Sequence, residues 1–213
     1  MKIMQLIRDI RTFMQYGDLP TSYYIKRGMK VGKNFNRQSG TRLDPNNCWL
    51  IDIGDDVIMS NKCQIVAHDF SMMHYTGYAA FGPVKIGNRV FIGANSTILM
   101  NVIIGDDVII GAGSLVNKNV PDGCVVAGVP ARIICKTYEY VERHSELIKH
   151  SPKLDKSDTY YGGKSIKKSP MHKIYQSHET RYKGVFYAKF RNVKHVIGND
   201  DTSPVTIDPE NDN

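Results

Sequence analysis

Six aliphatic residues, Ile86, Ile92, Ile98, Ile104, Ile110 and Val116, follow one another at intervals of six positions. The hexapeptides they open read IGNRVF, IGANST, ILMNVI, IGDDVI, IGAGSL and VNKNVP. A second small or aliphatic residue recurs at the fifth place: Val90, Ser96, Val102, Val108, Ser114 and Val120. An α-helix repeats about every 3.6 residues and a single strand about every two, so neither produces this spacing. A triangular parallel β-helix does, because each side of the prism takes about six residues.

The pattern assigns a task to each position. The aliphatic residue points into the prism and stacks on its equivalents in the coils above and below, about 4.8 Å away. Gly, Ala, Asn and Asp, as in Asp106-Asp107, suit corners where the backbone turns sharply or takes a positive φ. Upstream, a weaker frame starts at Val31-Gly32 and passes through Arg37 and Leu43, with Arg37 and Pro45 making that coil irregular. It resets at Ile53 and continues through Met59 and Ile65. Ile65 and Ile86 stand 21 positions apart. We read this as a full coil plus three residues, bulging outward around HDFSMMHYTGYAAFGP. About five coils result, and they end at VPDGCVVAGVPARII, whose Pro and Gly punctuate rather than repeat.

The expected organisation is a helix over residues 1–20, a β-helix over 21–135, a short helix over 136–150 lying on the last coil, and an extension over 151–213. Ile3, Leu6, Ile7, Ile10, Phe13 and Met14 share one helical face, which we expect to cover the open first coil. Arg8, Asp9 and Arg11 interrupt it too often for a signal peptide, and no stretch is apolar enough to span a bilayer. Cys48, Cys63, Cys124 and Cys135 form no CxxC pair and are expected as reduced thiols of a cytoplasmic protein, with no metal site. The net charge of +7 is uneven, since residues 131–195 carry 15 Lys and Arg against 6 Asp and Glu. Basicity thus belongs to the C-terminal extension, where it is either a solvated surface or a contact for a membrane or an anionic acceptor, and residues past Gly198 form an acidic tail. No nucleic-acid partner is expected.

The run from AHDFS through GPVKIGNRVFIGANSTIL to IGDDVIIGAGSLVNKNVPDGCVVAGVPARII resembles the active-site loop and C-terminal coils of hexapeptide-repeat acyltransferases. It is most similar to those that O-acetylate maltose, galactosides and capsular or lipopolysaccharide sugars. The resemblance covers residues 20–137 and implies a mainly β, left-handed parallel β-helix, acetyl-CoA as acetyl donor, and a homotrimer with active sites in the grooves between prisms. The family's catalytic histidine falls on His68 of AHD. A sugar hydroxyl is a poor nucleophile at neutral pH, and an imidazole can take its proton as it attacks the thioester. Asp69, its neighbour on extended backbone, points the other way; a backbone carbonyl or a carboxylate from another coil is left to fix the tautomer.

The same resemblance assigns the cofactor's pantetheine arm to Ala94 and Ala112 and its phosphates to Lys118 and Arg132. Asn117 stands beside Lys118 where the family has threonine, and Met100-Asn101 where it commonly has Pro-Gly. His74, Tyr75 and Tyr78 on the bulged loop are candidates for acceptor contact, aromatic faces being suited to sugar rings. O-acetylation of a sugar in polysaccharide or lipopolysaccharide biosynthesis is the leading expectation. N-acetylation of an amino sugar or its nucleotide would use the same base, and a non-catalytic scaffold is the third reading. A zinc carbonic anhydrase on this coil needs three converging histidines, and only His68 and His74 precede His144.

Overall fold

The computed structural model describes residues 19–151, together with the backbone of 153–154 and 187–188. The expected N-terminal helix through Met14, most of the basic extension and the acidic tail lie outside the described residues. The chain divides into two units, Met1–Thr137 and Tyr138–Asn213.

In the first unit, a short helix α1 (Thr21–Lys26) leads into β1 (Lys30–Val31), β2 (Asn36–Arg37) and β3 (Arg42–Leu43). After a 3-10 turn at Cys48–Leu50 come β4 (Ile51–Ile53), β5 (Ile58–Met59) and β6 (Gln64–Ile65). An excursion then holds β7 (His68–Asp69), α2 (Met73–Thr76) and β8 (Ala80–Phe81). The coil resumes with β9 (Val84–Ile86), β10 (Phe91–Ile92), β11 (Thr97–Ile98), β12 (Val102–Ile104), β13 (Ile109–Ile110) and β14 (Leu115–Val116).

Within the coil, successive strands do not pair with each other; strands on the same side of the prism do. One parallel sheet runs β1-β4-β9-β12, a second contains β2-β5-β10-β13, and a third β3-β6-β11-β14. Ile53 thus stacks on Ile86, Met59 on Ile92 and Ile65 on Ile98. Leu43, Ile53, Met59, Ile65, Ile92, Ile98, Ile104 and Ile110 are buried, as are Val90, Ser96, Val102, Val108, Ser114 and Val120 at the fifth places. Arg37 takes the rung position beside Met59. Its guanidinium is accommodated by polar neighbours: Nε donates to Thr21 Oγ1 and Nη1 to the Thr41 carbonyl, both at 3.0 Å, and Nη2 to the Leu19 carbonyl.

The corner between the first and second sheets is pinned by a column of side chains. Asp55, Asn88, Asp106 and Asp122 each accept a backbone N–H from the coil below, that of Lys33 at 2.6 Å, Asp55 at 2.9 Å, Asn88 at 2.7 Å and Asp106 at 2.8 Å. Each reaches over a glycine. A Cβ on Gly87 would stand 2.4 Å from Asp106 Oδ1 and 2.7 Å from the Gly105 carbonyl carbon, which is why the place after the aliphatic residue is so often glycine.

Register corrects the reading of the bulge. Val84 pairs with Val102, 18 positions on, whereas Lys30 pairs with Asp52, 22 on, and Ile51 with Val84, 33 on. Relative to 18, the first excess is four residues and the second fifteen. No full coil lies between Ile65 and Ile86, because Ile53 stacks directly on Ile86. The fifteen residues instead fold on themselves as the antiparallel pair β7 and β8. Both insertions leave the prism after its third side, so they stack on one edge.

The C-terminal end also differs from expectation. β15 (Cys124–Gly128) joins the second sheet beside β13, and β16 (Ala131–Lys136) folds back on it antiparallel, with a register shift between Val125 and Val126. Pro130, which follows a cis peptide, and Gly128 make the hairpin's turn rather than end the sheet. The four cysteines are free thiols. α3 (Thr137–His150), which belongs to the second unit from Tyr138 on, stacks His144 on Tyr140, ring centroids 4.0 Å apart, and β17 (Lys153–Leu154) pairs in parallel with β18 (Tyr187–Ala188). No helix among the described residues is long and apolar enough to cross a membrane.

Candidate active site

Because the two insertions share an edge, they bring together residues far apart in sequence. The first begins with Asp44, whose φ of 39° turns its side chain back toward the coil, and Asp44 is buried. The second begins at Ala67 and His68. Asp44 Oδ2 lies 2.6 Å from His68 Nδ1 and also accepts the Ala67 N–H at 2.8 Å. Its Oδ1 accepts the Asn47 backbone N–H at 3.2 Å and the Asn47 amide at 3.1 Å. Burial pushes the Asp44 carboxyl up, but His68, the Ala67 N–H and Asn47 outweigh it and hold the group below its ordinary value. Asp44 is therefore an anion at neutral pH, and as an acceptor only, it requires the proton on His68 Nδ1. Asn47 Nδ2 also lies 3.3 Å from that nitrogen, but a ring nitrogen that donates to the carboxylate cannot accept from the amide. The lone pair of Nε2 is left for a substrate.

The imidazole is one-third exposed. Phe70 meets it edge to face at 5.0 Å between centroids, and Phe81, the strand partner of His68, meets Phe70 at 6.0 Å. Asp69 turns away: Ser71 donates its N–H to Asp69 Oδ1 at 2.8 Å, and this contact first of all holds that carboxyl below the usual range. Tyr75 and Tyr78 are 84% and 78% exposed and His74 is exposed on α2. Among the described residues the aromatic contacts to His68 thus come from Phe70, not from these three.

The expected cofactor residues occupy two edges of the prism. Asn117 and Lys118 follow β14 at the edge that bears His68, two rungs on, about 10 Å along the axis, and both are exposed. Ala94 and Ala112 line the edge between the second and third sheets, where the Ala94 carbonyl accepts the Gly113 N–H at 2.7 Å. A Cβ on Gly93 would lie 2.4 Å from the Ala112 nitrogen, so that edge is closely stacked. Arg132 is exposed on β16, its Nη1 donating to the Ala131 carbonyl at 2.9 Å. Asn101, in place of a glycine, has a φ of 58°, a conformation asparagine tolerates better than most side chains. Among the described residues no three His, Cys, Asp or Glu side chains gather as a metal site.

Residues 83–118 match the family described as bacterial transferase hexapeptide, six repeats. The chain is 36% identical over 135 residues to protein CapG of Staphylococcus aureus, covering 61% of this chain and 78% of that one. It belongs to the hexapeptide-repeat transferases. This hexapeptide-repeat transferase is also 32% identical over 118 residues to the galactoside O-acetyltransferase of Escherichia coli strain K12, covering 54% of this chain. Among solved structures it is similar to a maltose O-acetyltransferase from Clostridium difficile 630, with 28% identity, a TM-score of 0.46, and coverage of 59% of this chain and 81% of that one. It spans 64% and 57% of the lengths of two curated relatives it matches.

Asp44 is the residue that sequence reasoning missed. Its signal was present in the unassigned choice of a carboxylate from another coil, but finding it required the 22-position offset of the first coil, which Arg37 in a rung position obscures.

Proposed function

We propose that this chain transfers an acetyl group from acetyl-CoA to a hydroxyl of a sugar, with His68 as general base. The observation that carries this reading is the 2.6 Å contact from buried Asp44 to His68 Nδ1, which leaves Nε2 free at the base of the inserted loop. Nε2 takes the hydroxyl proton as the sugar oxygen attacks the thioester carbonyl carbon. Asp44 stabilises the imidazolium that forms, as in the carboxylate-supported histidine of hydrolases. A backbone N–H of a facing coil stabilises the oxyanion. Collapse breaks the carbon–sulfur bond, and the imidazolium returns its proton to the departing thiolate. The products are the O-acetyl sugar and CoA, with no acyl-enzyme.

Ala94 and Ala112 flank the pantetheine arm in this reading, while Asn117, Lys118 and Arg132 meet its polar end. Ala112 and Lys118 stand on adjacent edges of one prism, six residues or about 20 Å apart along a strand. One ligand touches both sets most simply when a neighbouring prism brings its own edge alongside, and this favours a homotrimer with shared grooves. The name of the related galactoside O-acetyltransferase favours a sugar acceptor; a role in cell-surface polysaccharide synthesis, a place in the cytoplasm and a left-handed coil belong to the same proposal. His74, Tyr75 and Tyr78 are then the loop's contacts with more distant parts of an acceptor. The basic extension is proposed to attract an anionic acceptor or a membrane surface.

Thiol release from acetyl-CoA, measured across sugars, sugar nucleotides, amino sugars and surface oligosaccharides, tests the activity. Transfer to a hydroxyl is expected, with kcat falling about 10²- to 10⁴-fold in His68→Ala. Acetyl-CoA affinity should be retained. A correctly folded His68→Ala protein with normal turnover would reject the base, and acetylation confined to amines would reject the hydroxyl acceptor.

A further inference from the structure

Asn101 and Asn119 occupy the same place in consecutive coils, three residues after the paired Ile98 and Val116. Their side chains behave differently. Asn119 Oδ1 accepts the Ile103 N–H of the coil below at 2.9 Å, so its carboxamide is part of the scaffold. Asn101 makes no equivalent bond, and the end of the inserted loop lies beneath it. Gly82, buried at that return, donates its N–H to the Ala67 carbonyl at 3.1 Å. The Asn101 carboxamide lies directly over it, so that a Cβ on Gly82 would be 2.3 Å from Oδ1, 2.6 Å from Cγ and 2.9 Å from Nδ2. The side chain is thus held in place by packing, yet it makes no hydrogen bond to another described residue. It is exposed, and the Gly82 it covers directly follows Phe81, the strand partner of His68. The residue also keeps a φ of 58°, which glycine would adopt with less strain.

We propose that Asn101 is a substrate-binding residue whose carboxamide pairs with a secondary amide of a substrate. A carboxamide offers one donor and one acceptor side by side, and a secondary amide offers the matching acceptor and donor. Two substrates of the proposed reaction can carry that group: the donor, in its pantetheine arm, and the acceptor, as an acetamido substituent on its sugar ring. The inference rests on the acetyl-transfer reading and adds a residue that discriminates among its substrates.

Asn101→Gly removes the carboxamide, and relief of the positive φ offsets the freedom glycine gains in the unfolded chain, so the full-length variant should fold with a Tm close to wild type. Two measurements then separate the sources. Calorimetry gives acetyl-CoA affinity, and kcat/KM is compared for sugars that differ only in an acetamido group or a hydroxyl at one carbon. A loss of about 10-fold in acetyl-CoA affinity identifies the pantetheine arm. A loss of about 10-fold in preference for the acetamido sugar identifies the acceptor. Asn101→Asp, which tolerates the same φ but lacks the N–H donors, should show the same loss. Wild-type turnover with unchanged affinity and preference in Asn101→Gly overturns the proposal alone. If the wild-type protein releases no thiol from acetyl-CoA with any acceptor, the transferase reading falls and this proposal with it.

Discussion

Replacing Asp44 with Asn alters almost nothing in shape but should disable both the base and its support. The carboxylate receives four donors: Ala67 N–H and His68 Nδ1 on Oδ2, and the backbone and side-chain nitrogens of Asn47 on Oδ1. An amide has one accepting end. If its oxygen faces His68, its N–H2 confronts two donors from Asn47; if it is reversed, the N–H2 confronts Ala67 and turns His68 Nδ1 into an acceptor, moving the ring proton to Nε2. In the first case the stability loss is about 2–4 kcal/mol, from two part-buried hydrogen bonds with an ionised partner at about 1.5–3 kcal/mol each, less what solvent and relaxation recover. In the second, the base carries the wrong tautomer, and kcat should fall about 10²- to 10⁴-fold. Thiol-release kinetics with nitrogen-15 spectra of the imidazole measure both. Asp44 is held below its ordinary value when folded, so its stabilisation is present above the unfolded carboxylate range and disappears as pH falls through the folded value. Urea melts in mild acid should show that loss for wild type and a flatter profile for Asp44→Asn. A variant with wild-type kcat, the Nδ1–H tautomer and the wild-type acid profile would refute the argument.

Gly87→Ala should cost about 3 kcal/mol or more, since its Cβ collides with backbone and with the side chain that pins the corner, while Gly77→Ala, with open space around it, should cost about 1 kcal/mol from its φ alone. Chemical denaturation of the two variants checks the difference. Replacing both Lys118 and Arg132 with Ala should weaken CoA binding and its salt dependence, with less effect on dephospho-CoA if the 3′-phosphate is their target; equal losses for both ligands would contradict that role. Light scattering should give about three times the 24.0 kDa chain mass, and a fully active monomer would defeat the shared groove.

The repeat was legible because its period is enforced by stacking: a residue that slips by one leaves the core, so Ile86 through Val116 show the coil without any tertiary information. His68 was singled out by the resemblance of AHD to the family's motif, together with its place where the period breaks. What could not be read was the size of the break. Strands of two residues look alike on all three sides of the prism, so the 21 positions from Ile65 to Ile86 read equally well as a coil with a small bulge. Only the pairing of Ile53 with Ile86 reveals an edge insertion. Asp44 was hidden by the same ambiguity, since nothing local ties an Asp-Pro turn to a histidine 24 positions later. The hairpin of β15 and β16 escaped because Gly and Pro mark chain reversals inside a sheet as readily as its end.

A prism of this kind can lengthen in only two ways, by whole rungs or by outgrowths at an edge. From β9 to β14 it does so in whole rungs, at a constant 18 positions per coil. The axial distance from the His68 edge to Lys118 therefore takes discrete values, in steps of about 4.8 Å. Duplicating the coil that begins at Ile86 would preserve the stacking and the pinned corner, yet carry Lys118 one step farther from the imidazole. The repeat acts as a graduated ruler, and the reach of a ligand that must touch both marks is fixed by how many graduations lie between them.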